Sequence, residues 1–562
     1  MNILGVHIGH DSSAALVRDG QIISDVAEER FTRTKHYAGL PIQAIEYCLS
    51  SNNFTIKDID IIAIPSSGPV PELNFLFGLN GSQKEHQRTP GKILNQIRRI
   101  MQYSSVAPPL YIKKFPIGIK TKITHIDHHL AHAASAYYTS GSKDKQVIVT
   151  LDGAGDGFST CIWLGESGNI KPLVKLGTNS SLGWFYSNVT EALGWWHGDG
   201  EGKTMGLAPY GDFKKTLNLL DRFHPKFKDG ALVQKHSYGQ PFVWNESGAI
   251  QWHFNQANNI RAIIDNHESQ DIAAEAQRIL EEQVIELIIP WLKKENTDRL
   301  SCAGGVFLNV KLNQRIWENA NLSLHHVFPN PGDSGLAVGA ALYAYYKAKP
   351  TAKLYPLDNI YWGPSYSTKE IRKILDERNL TYKTSNNVAS DTAKLLAQNK
   401  IVGWFQGRME SGPRALGGRS ILMSTARSEN KDIINAKVKF REAFRPFCPS
   451  ILEEKFENYL LNTRKEPFMI TSFNAKDNKK DKIPAVVHVD GTVRPQTVSK
   501  RVNPLYWNLL KEFGDLTGDP ILLNTSMNIK GEPIVCHPRE AIRCFFDTGI
   551  DALVIGNFIL EK

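Results

Sequence analysis

Ile3-Leu4-Gly5-Val6, Gly9-His10-Asp11-Ser12-Ser13, Ala14-Ala15-Leu16-Val17, Asp19-Gly20 and Ile22-Ile23 open the chain, and their order decides its fold. The apolar pieces read as strands. The pieces between them carry turn chemistry, with Asp19-Gly20 a hairpin signal. The layout returns about 140 residues later. There Val147-Ile148-Val149-Thr150-Leu151 is a strand, Asp152-Gly153-Ala154-Gly155-Asp156-Gly157 a turn and Thr160-Cys161-Ile162-Trp163-Leu164 the return strand. Gly165-Glu166-Ser167-Gly168-Asn169 turns the chain again. Two strand–acidic turn–strand units imply a duplicated half.

Sugar kinases, actin and Hsp70 chaperones share that pattern, with paired acidic hairpins facing a nucleotide between two lobes. Outward from the hairpins, apolar residues recur at three- and four-residue steps through Gln270–Lys294, a helix that Pro290 kinks or breaks. Leu300–Phe307 reads as a strand entering a glycine turn, with a helix from Asn309. Leu336–Tyr346 is a small-residue helix behind Asp333-Ser334-Gly335. The polar, proline-bearing stretch Lys347–Tyr355 is the best linker. It divides the chain into an expected domain over residues 1–350 and a second α/β domain over residues 356–562.

With 562 residues, 41% hydrophobic and 22% charged, the chain is of ordinary globular composition, neither disordered nor collagenous. No apolar run reaches the roughly 18 residues of a membrane span. MNILGVHIGHDSS has no basic leader region, so a cytoplasmic protein is expected. Six scattered cysteines without a CxxC pair point to reduced, packed thiols. Nine basic residues and only Glu85 between Ser82 and Lys122 supply +8 of the net +9. That stretch is either a solvated surface segment or a rim steering anions toward a cleft.

The densest chemistry is Asp127-His128-His129-Leu130-Ala131-His132. On a helix, His128 and His132 at i and i+4 project from one face and suit one metal ion, or are packed residues. Asp152 and Asp333, each in a glycine turn, complete a nitrogen–oxygen set suited to Fe(II), Mn(II) or Zn(II). Gly304-Gly305 before Asn309 let backbone approach a phosphate or adenosine, or form a plain turn. Gly198–Thr204 imitates a phosphate-binding loop, but its glycine spacing is short and no strand precedes it, so a P-loop is not expected. In the second domain Arg414, Lys439, Arg445 and Arg494 stand beside glycine, proline and aromatics. Such settings fix a guanidinium for bidentate phosphate or carboxylate binding, or for interdomain ion pairs.

GHDSSAALV, EERFTRTKH, HHLAHAASA, GKTMGLAPYG, GGVFLNVKLN, GDSGLAVGAA, ESGPRALGGRSIL, KVKFREAFRPF and LLNTSMN occur in this order. Together they closely resemble the O-carbamoyltransferases that decorate nodulation factors, cephamycins and aminoglycosides such as tobramycin. The resemblance covers nearly the whole chain. It implies a duplicated actin/Hsp70-like N-terminal domain, similar to the universal tRNA threonylcarbamoyl transferase, and a C-terminal YrdC-like carbamoyladenylate-forming domain. It further implies that carbamoyl phosphate is hydrolysed to carbamate, which attacks ATP (with Mg) to give carbamoyladenylate. The carbamoyl group then passes to a hydroxyl at the metal-bearing site, with Fe(II) the expected ion. Arg414, Lys439, Arg445, Arg494, Asn524 and Ser526 would bind the anions. His10 would take the acceptor proton, or is a turn residue; Lys35 would hold the adenylate phosphate, or is a surface lysine. Expected partners are carbamoyl phosphate, ATP and a small-molecule hydroxyl acceptor, with a homodimer left open; membrane and nucleic acid are not expected. The rival readings are a tRNA threonylcarbamoyl transferase-like enzyme and an actin-superfamily sugar kinase.

Overall fold

A computed structural model describes all residues except 69, 71–75, 78–114, 118, 119, 239–241, 245–249, 253 and 254, so most of the basic stretch 82–122 lies outside the described residues. The chain is mixed α/β. The opening hairpins form a five-stranded sheet in the order Gln21–Ala27, Ser13–Arg18, Asn2–His7, Ile61–Ile64, Lys122–His125. A second five-stranded sheet runs Asn169–Gly177, Phe158–Glu166, Gln146–Gly155, Arg299–Ala303, Leu324–Val327. In both sheets the first three strands are antiparallel and the last two join in parallel. The two sheets thus share one order and one pairing pattern.

Between them pack the helices His128–Thr139 and Leu336–Ala348, both rich in alanine. Small side chains allow the close crossing. A Cβ on Gly339 would stand 1.9 Å from the Ala131 carbonyl oxygen. The helix expected over Gln270–Lys294 spans Ser269–Lys294 and runs through Pro290 without a break. One expectation is corrected in detail. The strand from Gln146 continues to Gly155 through a register shift after Leu151, so Asp152 lies in strand extension and the turn is at Asp156-Gly157.

The linker is also shorter than it reads. The helix keeps Lys347 and Ala348, Leu354 is buried, and the Tyr346 hydroxyl donates to the Lys353 carbonyl. An eight-stranded mixed sheet follows, in the order Lys383–Thr384, Phe558–Glu561, Ala552–Ile555, Val402–Phe405, Arg419–Ser424, Ile521–Ser526, Cys448–Leu452, Gln496–Val498. Polar contacts lock it to the first half of the chain. Arg30 donates to the Gly412 carbonyl at 2.8 Å, Arg33 to that of Ile534 at 2.7 Å, and Lys311 pairs with Asp490 at 2.9 Å. All six cysteines are buried and free. Among the described residues no helix is long and apolar enough to cross a membrane.

One interface contact titrates. Buried Asp25 accepts a hydrogen bond from the Ser411 hydroxyl, and burial pushes its carboxyl up to about 7 despite that bond. The folded state therefore holds a proton that the unfolded chain releases near pH 4. Stability falls as pH rises from about 4 to about 7, by on the order of 4 kcal/mol in all, and is level above that. Asp25→Asn is expected to flatten the change in melting temperature over this window and to stabilise the protein at pH 8. A variant as steep as wild type would refute the assignment. Glu28, also raised to about 7 by burial, leaves a residual slope.

Candidate functional site

The histidine-bearing helix starts where Asp127 caps it, accepting from the Leu130 amide at 3.0 Å. The cap fixes the helix phase, so the three histidines divide. His129 turns into the core against the Thr150 hydroxyl at 2.9 Å, where burial and the neighbouring imidazoles push it down to about 3. His128 and His132 turn to Asp152, whose Oδ2 lies 3.2 and 3.3 Å from their Nε2 atoms. Asp333 Oδ1 is 3.6 Å from both. Burial alone would lift the Asp152 carboxyl, but hydrogen bonds from both histidines hold it well below the ordinary value. For His128 burial is likewise outweighed, here by Asp333 and Asp152, which raise it to about 9.

These separations fit one ion. Ligands about 2.1 Å from a metal, at tetrahedral to octahedral angles, stand about 3.0–3.4 Å apart. All four donor atoms lie within 4.8 Å of one another. A glycine makes room for the geometry, because a Cβ on Gly155 would fall 2.0 Å from the His128 ring. Gly155→Ala is therefore expected to turn His128 away and lower the bound divalent metal at least tenfold, measured by metal content after dialysis. Retention of full metal would refute the ligand set.

Gly304 and Gly305 lie against this cluster, with the Gly305 amide 3.4 Å from Asp152 Oδ1. The Asn309 side chain is spent locally: it caps the helix Val310–Ala320 through the Leu312 amide and exchanges hydrogen bonds with Gln277. Near the cluster, His7 is 3.9 Å from Asp333 and its Nε2 meets the His10 carbonyl at 2.9 Å. His10 Nδ1 lies 2.9 Å from one Asp11 oxygen and His36 Nδ1 2.8 Å from the other. Lys35 pairs with Asp199, on the loop that imitates a phosphate-binding motif. That stretch is a helix from Glu201 to Leu207 following a helix rather than a strand, so it is no P-loop.

The second constellation sits on the eight-stranded sheet. Lys439, 5% exposed, ends a π-helical turn and donates to the Ser526 carbonyl and, at 2.7 Å, to Asn528 Oδ1. Arg494 Nε donates to Cys448 Sγ at 2.8 Å. Burial and then Arg494 push Arg414 down to about 9. Burial and then Arg445 do the same to Arg441. Lys439 is lowered by burial, then by Arg441 and Arg445. Five cations thus crowd one another, with Glu442 the acid in their midst, itself paired to Lys203 at 3.0 Å. Burying like charges is costly unless an anion joins them. Asn524 does not offer free donors: its amide nitrogen already serves Ala415, Ser450 and Gln496.

The arginine-bearing loop meets the first half of the chain at Lys203, which pairs with Glu442 at 3.0 Å. Burial lowers Arg445, and Glu442 and then Asp199 counter it. The Trp195 and Phe444 rings pack there with centroids 5.9 Å apart. Arg441, Asp11, His36 and Asp199 also belong to these sites, and each adjoins or shares a motif with a residue that the sequence singles out.

A family model described as Carbamoyltransferase N-terminus matches residues 2–342, and one described as Carbamoyltransferase C-terminus matches residues 393–562. The chain is similar to the nodulation protein NolNO of Sinorhizobium fredii, 35% identical over 575 residues covering 98% of this chain and 79% of that protein. It is also similar to an uncharacterized Synechocystis protein, sll1178, 33% identical over 602 residues covering 100% and 97%. The crystal structure of full-length HypF in phosphate- and nucleotide-bound form aligns over 63% of this chain and 56% of its own at 13% identity. Its TM-score of 0.33 is too low to bear on the fold.

Proposed function

We propose that this chain, which belongs to the carbamoyltransferase family, is an ATP-dependent O-carbamoyltransferase working through carbamoyladenylate. One observation carries the reading: five crowded cations against the eight-stranded sheet, in a chain whose other half builds a histidine–carboxylate cluster suited to one divalent ion. The repeated sheet order supports a duplicated actin/Hsp70-like domain over residues 1–350, and the later sheet a YrdC-like domain over residues 356–562.

Arg414, Lys439, Arg441, Arg445 and Arg494 bind carbamoyl phosphate and the phosphates of Mg-bound ATP. Water cleaves carbamoyl phosphate to carbamate and phosphate. A carbamate oxygen attacks the α-phosphorus of ATP, and pyrophosphate leaves. Fixed cations stabilise the charge that develops in both steps. Carbamoyladenylate hydrolyses readily, so an enclosed route between the two sites would protect it from water. His10 then takes the acceptor hydroxyl proton while the oxygen attacks the carbamoyl carbon and AMP leaves. His128, His132, Asp152 and Asp333 would hold a divalent ion, Fe(II) in this reading, which when bound supplies Lewis-acid polarisation. The acceptor is a small natural-product or sugar hydroxyl.

The test is mass spectrometry of a panel of sugars and amino sugars after incubation with enzyme, ATP, Fe(II) and carbon-13 carbamoyl phosphate. A labelled carbamoyl group on one hydroxyl is expected. A gained phosphate instead would make the protein a kinase.

A further inference from the structure

We propose that Asp11 and His36 are positioning residues that clamp the His10 imidazole for proton transfer, an inference that rests on the carbamoyl-transfer reading. The Asp11 carboxylate is shared between two rings, with His10 Nδ1 at 2.9 Å and His36 Nδ1 at 2.8 Å. The rings stack with centroids 5.6 Å apart and planes 10° from parallel. Both contacts are hydrogen-bond lengths.

The clamp is built into the backbone. Asp11 adopts φ 55°, a left-handed conformation that costs energy outside glycine and persists where the surroundings hold it. Here Ser12 donates to the Tyr37 carbonyl at 3.1 Å and Gly39 to that of Gly9 at 3.2 Å, tying the His10 turn to the His36 loop. His36 Nε2 in turn lies 3.8 Å from Asp199. With Nδ1 engaged, His10 presents Nε2 toward Gly198, where an added Cβ would stand 3.9 Å from it. A carboxylate behind an imidazole fixes its tautomer and stabilises the imidazolium that proton uptake creates. Burial disfavours the protonated rings, but Asp11 outweighs it at His10 and Asp11 with Asp199 at His36, raising His10 to about 9, so transfer should climb with pH toward that value as the ring becomes free to take a proton.

The test compares His36→Phe, which keeps a ring but loses the donor, with His36→Asn, which returns an N–H near the Nδ1 position. Glycerol is the hydroxyl probe. For His36→Phe, glycerol carbamoylation should fall about tenfold, while carbamoyl-phosphate-dependent pyrophosphate release and the ATP KM stay within twofold. His36→Asn should recover to within threefold of wild type. Equal loss of both reactions, no loss, or no recovery in His36→Asn would overturn the clamp. Nitrogen-15 histidine NMR of the ligand-free protein decides independently of the chemistry. The His10 Nδ1–H signal, identified by its loss in His10→Gln, should vanish in Asp11→Asn and shift in His36→Phe. An unchanged signal overturns the proposal even where glycerol is not carbamoylated at all, the outcome that would instead count against the carbamoyl-transfer reading.

Discussion

Replacing Arg414 or Arg494 by alanine should lower carbamoyl-phosphate-dependent pyrophosphate release and overall transfer together, by about a thousandfold, with metal content unchanged. These guanidiniums stand in a like-charged, largely buried cluster that an anion completes. Each fixed, desolvated donor on a transferring phosphoryl group is worth about 3–4 kcal/mol, two to three powers of ten. A substitution that removes the charge also relieves crowding in the empty site. The variants should therefore be no less stable to heat than wild type, even as activity collapses. Loss of activity with a lower melting temperature would mark these arginines as structural, and normal transfer would refute the anion site.

The second large effect separates the halves. His128→Ala or His132→Ala should abolish metal retention and lower hydroxyl carbamoylation at least a thousandfold, yet leave pyrophosphate release within threefold of wild type. The histidines meet Asp152 and Asp333, on the other half of the chain from the arginines. Metal analysis and a pyrophosphate assay on the same preparation check it. Equal metal content in wild type and the double histidine variant would sink the ligand assignment. Loss of pyrophosphate release alongside transfer would show that the halves do not act separately.

Much of this was legible in the sequence because the signals are local. Alternating apolar pieces around Gly9–Ser13 and Asp19-Gly20 set the first sheet. The i, i+4 histidines and a capping Asp127 set the ligand face. What escaped depends on distance along the chain. Nothing near Asp199 says that it meets Lys35, 164 positions away. Arg441 lies inside KVKFREAFRPF, but only the folded turn at Phe440, φ 47°, brings its guanidinium among the others. Asp152 reads as a turn residue because glycine surrounds it, whereas the register shift keeps it extended and aimed at the histidines. Asn309 and Asn524 read as ligand-binding amides. The Asn309 side chain is consumed by a helix cap and the Asn524 amide nitrogen by bonds to Ala415, Ser450 and Gln496, which sequence cannot distinguish from free donors, while the buried Asn524 Oδ1 keeps no partner among the described residues.

The shortest route to the central claim is phosphorus-31 NMR of ATP and Mg with the purified holoenzyme, run with and without carbamoyl phosphate. AMP and pyrophosphate, with inorganic phosphate from the carbamoyl donor, should appear only when carbamoyl phosphate is present. ADP as the nucleotide product, or ATP cleavage indifferent to carbamoyl phosphate, would contradict carbamoyladenylate formation at the arginine cluster.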